Sequence, residues 1–122
     1  MKKILIVEDE KLLADMYKTK LEIEGLSVDV VFSAEEAVSY LEKNLPDLIL
    51  LDILLPRDSG IDFLKKAGGM KGVSQIPIVV FSNYIEPKTK KEALKLGARA
   101  YLIKTQFTPK EISNKIKKYL KE

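Results

Sequence analysis

Residues 47–52 read Asp-Leu-Ile-Leu-Leu-Asp, four consecutive apolar residues closed by Asp47 on one side and Asp52 on the other. A strand with one face in water would alternate, so this unbroken run suits a strand buried on both faces. Such strands belong to parallel sheets covered by helices on both sides. Three further runs have the same form: Lys3-Ile4-Leu5-Ile6-Val7 leads into Glu8-Asp9, Ile78-Val79-Val80-Phe81 into Ser82, and Ala100-Tyr101-Leu102-Ile103 into Lys104. A parallel sheet gathers the C-terminal ends of its strands along one edge. Three carboxylates, one hydroxyl and one ammonium are thereby expected to converge.

Between these runs the period changes to that of helices. Leu12, Leu13, Met16, Tyr17, Leu21 and Ile23 predict an amphipathic helix stopped by Gly25. Ser27 to Phe32 alternates as a strand with Val28 and Val30 on one face. Ser33 then caps a helix with Ala37, Tyr40 and Leu41 inside, and Glu36 completes an S-x-x-E capping box. Pro56 and Asp58-Ser59-Gly60 turn into a third helix carrying Ile61, Phe63 and Leu64. Gly68-Gly69 stops it, and Gly72 keeps the next segment loop-like. A fourth helix is expected from about Pro87 to Leu96, closed by Gly97. A fifth begins at Thr108-Pro109 with Glu111 as box partner and Ile112, Ile116, Tyr119 and Leu120 buried. Five βα units with short loops predict an α/β fold, one doubly wound domain over residues 1–122.

Composition excludes several chemistries. With neither cysteine nor histidine among 122 residues, disulfide frameworks and the commonest zinc sites are absent, and any metal must be held by oxygen. The balance of 21 basic to 18 acidic residues is basic, yet all but two of the 21 are lysines scattered over the helices, and no aromatic-interleaved basic stripe appears. A solvated lysine surface is the expectation, without direct nucleic-acid binding by this domain. No apolar run reaches the roughly 18 residues of a membrane span, which leads to the expectation of a cytoplasmic protein without membrane contact.

The chain resembles a response regulator receiver domain of the chemotaxis-regulator type. The resemblance rests on Ile-Leu-Ile-Val-Glu-Asp-Glu at 4–10, Leu-Leu-Asp-Ile-Leu-Leu-Pro-Arg-Asp-Ser-Gly at 50–60, Phe-Ser-Asn at 81–83 and Ala-Tyr-Leu-Ile-Lys at 100–104. It implies a flavodoxin-like five-stranded parallel sheet in the order 2-1-3-4-5. In that order Glu8, Asp9 and Asp52 meet, and three close carboxylates should recruit a hard cation, for which Mg²⁺ fits best and Mn²⁺ is the substitute. By resemblance Asp9 and Asp52 ligate directly, Glu8 directly or through water, and the backbone carbonyl of Leu54 adds a ligand.

The resemblance further implies that Asp52 is the phosphoacceptor of a two-component system, with Ser82 and Lys104 binding the phosphoryl group. Without a histidine of its own, the chain should receive that group from a sensor histidine kinase, a histidine phosphotransfer protein or a small acyl phosphate. It is expected to be no enzyme beyond self-phosphorylation and slow self-hydrolysis. Ser82 moving toward the phosphoryl group should vacate space into which Tyr101 turns. The responding surface would be helix 4, strand 5 and helix 5, with Lys88, Lys91, Lys95 and Arg99 contacting an acidic partner or a second receiver. Taken singly, each residue has a plainer role: Glu8 and Asp9 as helix caps, Ser82 in a turn, Lys104 at a solvated strand end, Tyr101 in the core. Their joint placement at the strand ends favours the site.

Three departures from the family pattern stand out. Lys104 is followed by Thr105 instead of proline, so a trans peptide is expected there. Leu54 and Tyr84 place bulk where water must approach, which predicts a long-lived phosphoprotein. Leu55 replaces a methionine with little consequence. A flavodoxin-type carrier is disfavoured because Glu8-Asp9-Glu10 would repel a phosphate, and a haloacid-dehalogenase-type phosphatase because Leu54 cannot act as acid or base. The remaining alternative is a degenerate receiver that binds a partner without phosphorylation. The end of the fifth helix at the end of the chain suits a stand-alone receiver or one domain of a larger regulator.

Overall fold

Each predicted run forms its element in the computed structural model, which describes residues 1–121; Glu122 lies outside the described residues. The strands are β1 (Lys3–Val7), β2 (Ser27–Val31), β3 (Leu48–Leu51), β4 (Ile78–Ser82) and β5 (Ala100–Ile103). The helices are α1 (Lys11–Ile23), α2 (Ala34–Leu41), α3 (Gly60–Gly68), α4 (Pro87–Lys95) and α5 (Pro109–Leu120). All strand pairs are parallel, and the sheet order is β2-β1-β3-β4-β5.

Side-chain alternation along the strands divides the core into two layers. Ile4, Ile6, Leu48, Leu50, Val79 and Phe81 face α1 and α5, where Tyr17, Leu21, Ile112 and Ile116 meet them. Leu5, Val7, Ile49, Leu51, Ile78 and Val80 face α2, α3 and α4, where Ala37, Leu41, Phe63, Leu64 and Ala93 complete the second layer. β3 is buried on both faces, as its unbroken apolar run requires.

The helix starts follow from their caps. Ser59 and Thr108 accept from the backbone N–H groups of Asp62 and Glu111, whose carboxylates reach back to the cap N–H groups. The box expected at Ser33 is only half formed: Ser33 Oγ accepts from Glu36 N–H at 3.1 Å, but the Glu36 carboxylate accepts from Phe32 N–H at 2.9 Å. The strand thus ends at Val31 and Glu36 satisfies the first free donor beyond it. The buried stripe of α1 also differs from expectation. Ala14, Tyr17 and Leu21 face inward, whereas Leu12 and Ile23 are 87% and 74% exposed and Met16 is exposed too. Two apolar arcs compete on this helix, and the one containing the small Ala14 packs closest to the sheet.

Gly60 opens α3 directly against the end of β3. A Cβ there would lie 2.6 Å from the Asp52 carbonyl oxygen and 2.8 Å from Ile53 Cα, while Gly60 N–H donates to Ile53 O at 2.8 Å. The close approach holds the segment after Asp52 in place. Gly60→Ala should lower stability by about 2–4 kcal/mol, because the clash is with backbone that cannot rotate away. Urea unfolding with an unchanged slope measures it; a loss below about 1 kcal/mol would show that the loop yields.

Candidate functional site

The register of the strands explains which polar groups meet. Continuing the alternation of β1 and β3 places Glu8 and Asp52 on the side of Ile6 and Leu50, and continuing that of β5 places Lys104 on the side of Leu102, the α1/α5 side. Ser82 and Tyr101 belong to the opposite parity, with Val80 paired to Tyr101. Backbone bonds fix the two acidic ends: Asp52 N–H donates to Val7 O at 3.0 Å, and Glu8 N–H to Val31 O at 3.1 Å.

The resulting cluster is buried. Glu8 is 3% exposed, and Asp52 and Lys104 are each 8% exposed. The Lys104 ammonium donates to Asp52 Oδ2 at 2.7 Å and also to Glu8 Oε1. Asp52 Oδ1 accepts from Ser82 Oγ at 2.7 Å and from Leu54 N–H at 3.2 Å. Glu8 Oε2 accepts from Glu10 N–H at 3.1 Å. Asp9 is exposed, and one oxygen from each of Glu8, Asp9 and Asp52 lies within 4.8 Å of the others. Glu10, rather than either predicted acid, is the N-cap of α1, and its side chain makes no cap bond. Glu8 and Asp9 are thereby left to the cluster.

Burial pushes the Glu8 carboxyl above its ordinary value, with the Lys104 hydrogen bond opposing. Burial alone would pull Lys104 down, but its hydrogen bonds to Asp52 and Glu8 prevail and raise it. The cluster holds three carboxylates, two of them bonded to one ammonium, and offers oxygen ligands only. That donor set fits a small hard divalent cation.

Tyr101 stands differently from expectation. It is already turned inward, 7% exposed, with its hydroxyl donating to the Tyr84 carbonyl at 2.6 Å. Ser82 has already turned to Asp52, and the Tyr84 carbonyl supplies the partner that a buried phenol needs. Leu54 is 56% exposed beside the cluster, and Tyr84 is half-buried. Lys88, Lys91 and Lys95 lie exposed on α4, and Arg99 is exposed in the turn into β5. They stand outside the group of side chains bonded to Asp52. No peptide bond among the described residues is cis, Lys104–Thr105 included. A 3₁₀ turn, Lys104–Gln106, follows β5, and Thr105 N–H donates to Asn83 Oδ1 at 3.1 Å. A proline at 105 would lack that donor. Asn83, which the sequence shows only as the last residue of the Phe-Ser-Asn motif, thus holds the loop after Lys104.

The response regulator receiver domain profile matches residues 4–117. The phosphate regulon transcriptional regulatory protein PhoB of Rhizobium meliloti is 34% identical over 119 residues, covering 98% of this chain and 52% of that protein. The alkaline phosphatase synthesis transcriptional regulatory protein PhoP of Bacillus subtilis is 35% identical over 120 residues, covering 98% of this chain and 49% of that protein. The chain thus spans about half the length of these curated relatives. The crystal structure of a CheY-like response regulator receiver domain protein from Methanospirillum hungatei superposes with a TM-score of 0.92 at 31% identity, covering 99% of this chain and 94% of that one.

Lys104 offers a test by pH. Its native pKa is raised above the ordinary lysine value of 10.5, so its contribution to stability is fully present below that value and is lost as pH rises through the native one. Lys104→Met should cost about 2–4 kcal/mol near neutrality, since two buried carboxylates lose their counter-charge. The gap between wild type and variant should shrink in the alkaline range above 10.5. A gap that persists unchanged there, followed by chemical unfolding, would show that the ammonium is not held by the carboxylates.

Proposed function

The chain belongs to the response regulator receiver domain family, and from that premise we propose that it is a phosphoacceptor switch whose Asp52 takes a phosphoryl group from a partner's phosphohistidine or from a small acyl phosphate. The carrying observation is the Asp52 carboxylate itself, held between the Ser82 hydroxyl on one oxygen and the Lys104 ammonium on the other. An Asp52 carboxylate oxygen forms the new bond to phosphorus as the donor's P–N or P–O bond breaks, and the electron pair leaves with the donor imidazole or carboxylate. Lys104 and the Ser82 hydroxyl then face the new phosphoryl oxygens and offset their charge.

Glu8, Asp9, Asp52 and the Leu54 carbonyl would hold Mg²⁺, with Mn²⁺ as substitute; when bound, the ion neutralises charge between the acidic cluster and the incoming phosphoryl group. Acting on itself, the chain is a signalling protein with no separate substrate. A sensor histidine kinase or a histidine phosphotransfer protein is the proposed donor, and the cytoplasm the proposed location. No helix among the described residues is long and apolar enough to cross a membrane.

The output surface we propose is α4, β5 and α5. α4 carries Lys88, Lys90, Lys91 and Lys95 against Glu92 alone. A two-fold pairing of this face with itself would set like charge on like, so the chemistry favours an acidic partner over a second copy. The transcriptional roles named for the longer relatives belong to those proteins; this chain would reach its output through the partner surface. One observation favours the phosphorylation-independent alternative, namely that Tyr101 is already buried.

Acetyl phosphate with Mg²⁺ should add one phosphoryl group, seen by intact-protein mass spectrometry. The adduct should vanish in Asp52→Asn and in excess chelator. An equal adduct in either case refutes the assignment, and no adduct in the wild type selects the phosphorylation-independent module.

Lifetime is a separate expectation. Leu54 sits exposed at the rim, where its bulk blocks an in-line water and offers nothing to orient one. Leu54→Asn should shorten the half-life of the phosphorylated chain about tenfold, corresponding to roughly 1.4 kcal/mol of barrier. Loss of label with time measures it; an unchanged or longer half-life contradicts the steric account.

A further inference from the structure

Tyr84 is tied at every polar atom. Its N–H donates to Ser82 Oγ at 3.2 Å, its carbonyl accepts from the Tyr101 hydroxyl at 2.6 Å, and its own hydroxyl donates to Glu86 Oε2 at 2.7 Å. Glu86 is the N-cap of α4, yet its side chain makes no cap bond. The Tyr84 phenol instead takes up the carboxylate of that N-cap residue. The same residue therefore touches the Asp52 hydroxyl donor, the β5 tyrosine and the start of α4.

We propose that the Tyr84 hydroxyl is a latch: by clasping Glu86 and α4 it fixes the Tyr84 carbonyl under Tyr101, which holds Tyr101 buried before any phosphoryl group arrives. Tyr84 is thus a positioning residue of the switch. Only Ile85 separates Tyr84 from Glu86, so the carbonyl cannot swing away from Tyr101 unless the phenol lets go or α4 moves with it. Once the carbonyl departs, the Tyr101 hydroxyl is a buried donor without a partner, and rotation toward water relieves that cost. Ile85, 71% exposed, gives the loop no buried anchor of its own. The phenol is the anchor. The hydrogen bond to the Glu86 carboxylate also pushes the Tyr84 hydroxyl above its ordinary pKa. This inference deepens the switch reading and rests on it for its consequence, that the signalling surface is partly set in the unmodified chain.

The test uses the full, unmodified protein labelled with ¹³C-tyrosine, with a soluble paramagnetic probe reporting exposure of the Tyr101 ring. Tyr84→Phe keeps the ring and removes only the hydroxyl. It should expose Tyr101 to the probe and speed amide exchange at Lys90 and Lys91 about fivefold, as loss of one partly exposed hydrogen bond implies. Glu86→Ala should reproduce both changes, the double variant should add little, and Glu86→Gln, which keeps an acceptor, should behave as wild type. Beryllofluoride with Mg²⁺, a phosphoryl mimic, should bury Tyr101 again in Tyr84→Phe while moving it little in the wild type. The proposal is overturned if Tyr84→Phe matches wild type in both readouts, or if Tyr101 is already accessible in the wild type. Failure of Asp52 to take phosphate from acetyl phosphate would count against the phosphoacceptor reading and not against the latch, whose readouts come from unmodified protein.

Discussion

One buried cation organises this molecule. The Lys104 ammonium bonds both Glu8 and Asp52 at the edge of the sheet, where all three side chains are almost without solvent. Removing such charges from water costs several kcal/mol per ion, and the contact between them returns that cost only when the geometry is tight. Tightness here comes from the sheet. β1 and β3 pair in register from Ile4 with Leu48 to Val7 with Leu51, so their carboxylates emerge side by side, and β5 delivers Lys104 with the same parity. The apolar layers beneath are the price of an edge that holds charge, since only a rigid sheet keeps like-charged groups at bonding distance from one shared ammonium.

The sheet also separates the cluster from the residues proposed to read it out. Glu8, Asp52 and Lys104 continue the α1/α5 layer, whereas Ser82 and Tyr101 continue the layer under α2, α3 and α4. Ser82 is the crossing point. Its hydroxyl donates to Asp52 and accepts from Tyr84 N–H, so a change in charge at Asp52 reaches the loop that leads into α4 through two hydrogen bonds. A serine suits this position because its hydroxyl both donates and accepts.

Much of this was legible in the chain. Unbroken apolar runs at β1, β3 and β4 fixed the parallel sheet, and the polar residue at each strand end marked the edge where chemistry gathers. What failed to read were choices between equivalent patterns. α1 carries two apolar arcs, and only packing shows that Ala14, Tyr17 and Leu21 form the inner one. Glu36 has two free N–H groups within reach, and the end of β2 decides between Ser33 and Phe32. The orientation of Tyr101 depends on where the Tyr84 carbonyl points, a backbone property without a residue signature. The bonding roles of Asn83 and of the Tyr84 phenol have no sequence signature because their partners, Thr105 N–H and Glu86, are set by loop geometry.

Charge bookkeeping clarifies why the resting cluster is arranged as it is. A phosphoryl group on Asp52, as proposed, would turn its single charge into nearly two near neutral pH, so the pocket would become more negative on modification. Lys104 is already shared between two carboxylates and brings no further charge. Neutral donors must then supply part of the difference. Two of them, the Ser82 hydroxyl and Leu54 N–H, already point at Asp52 Oδ1. Of these the backbone group cannot move far, whereas the Ser82 hydroxyl can follow the charge outward. Since that hydroxyl also receives Tyr84 N–H, the group best able to respond to the new charge is the one connected to the tyrosine pair, and under the proposed switch a response of the distant surface would follow from the electrostatics of the pocket.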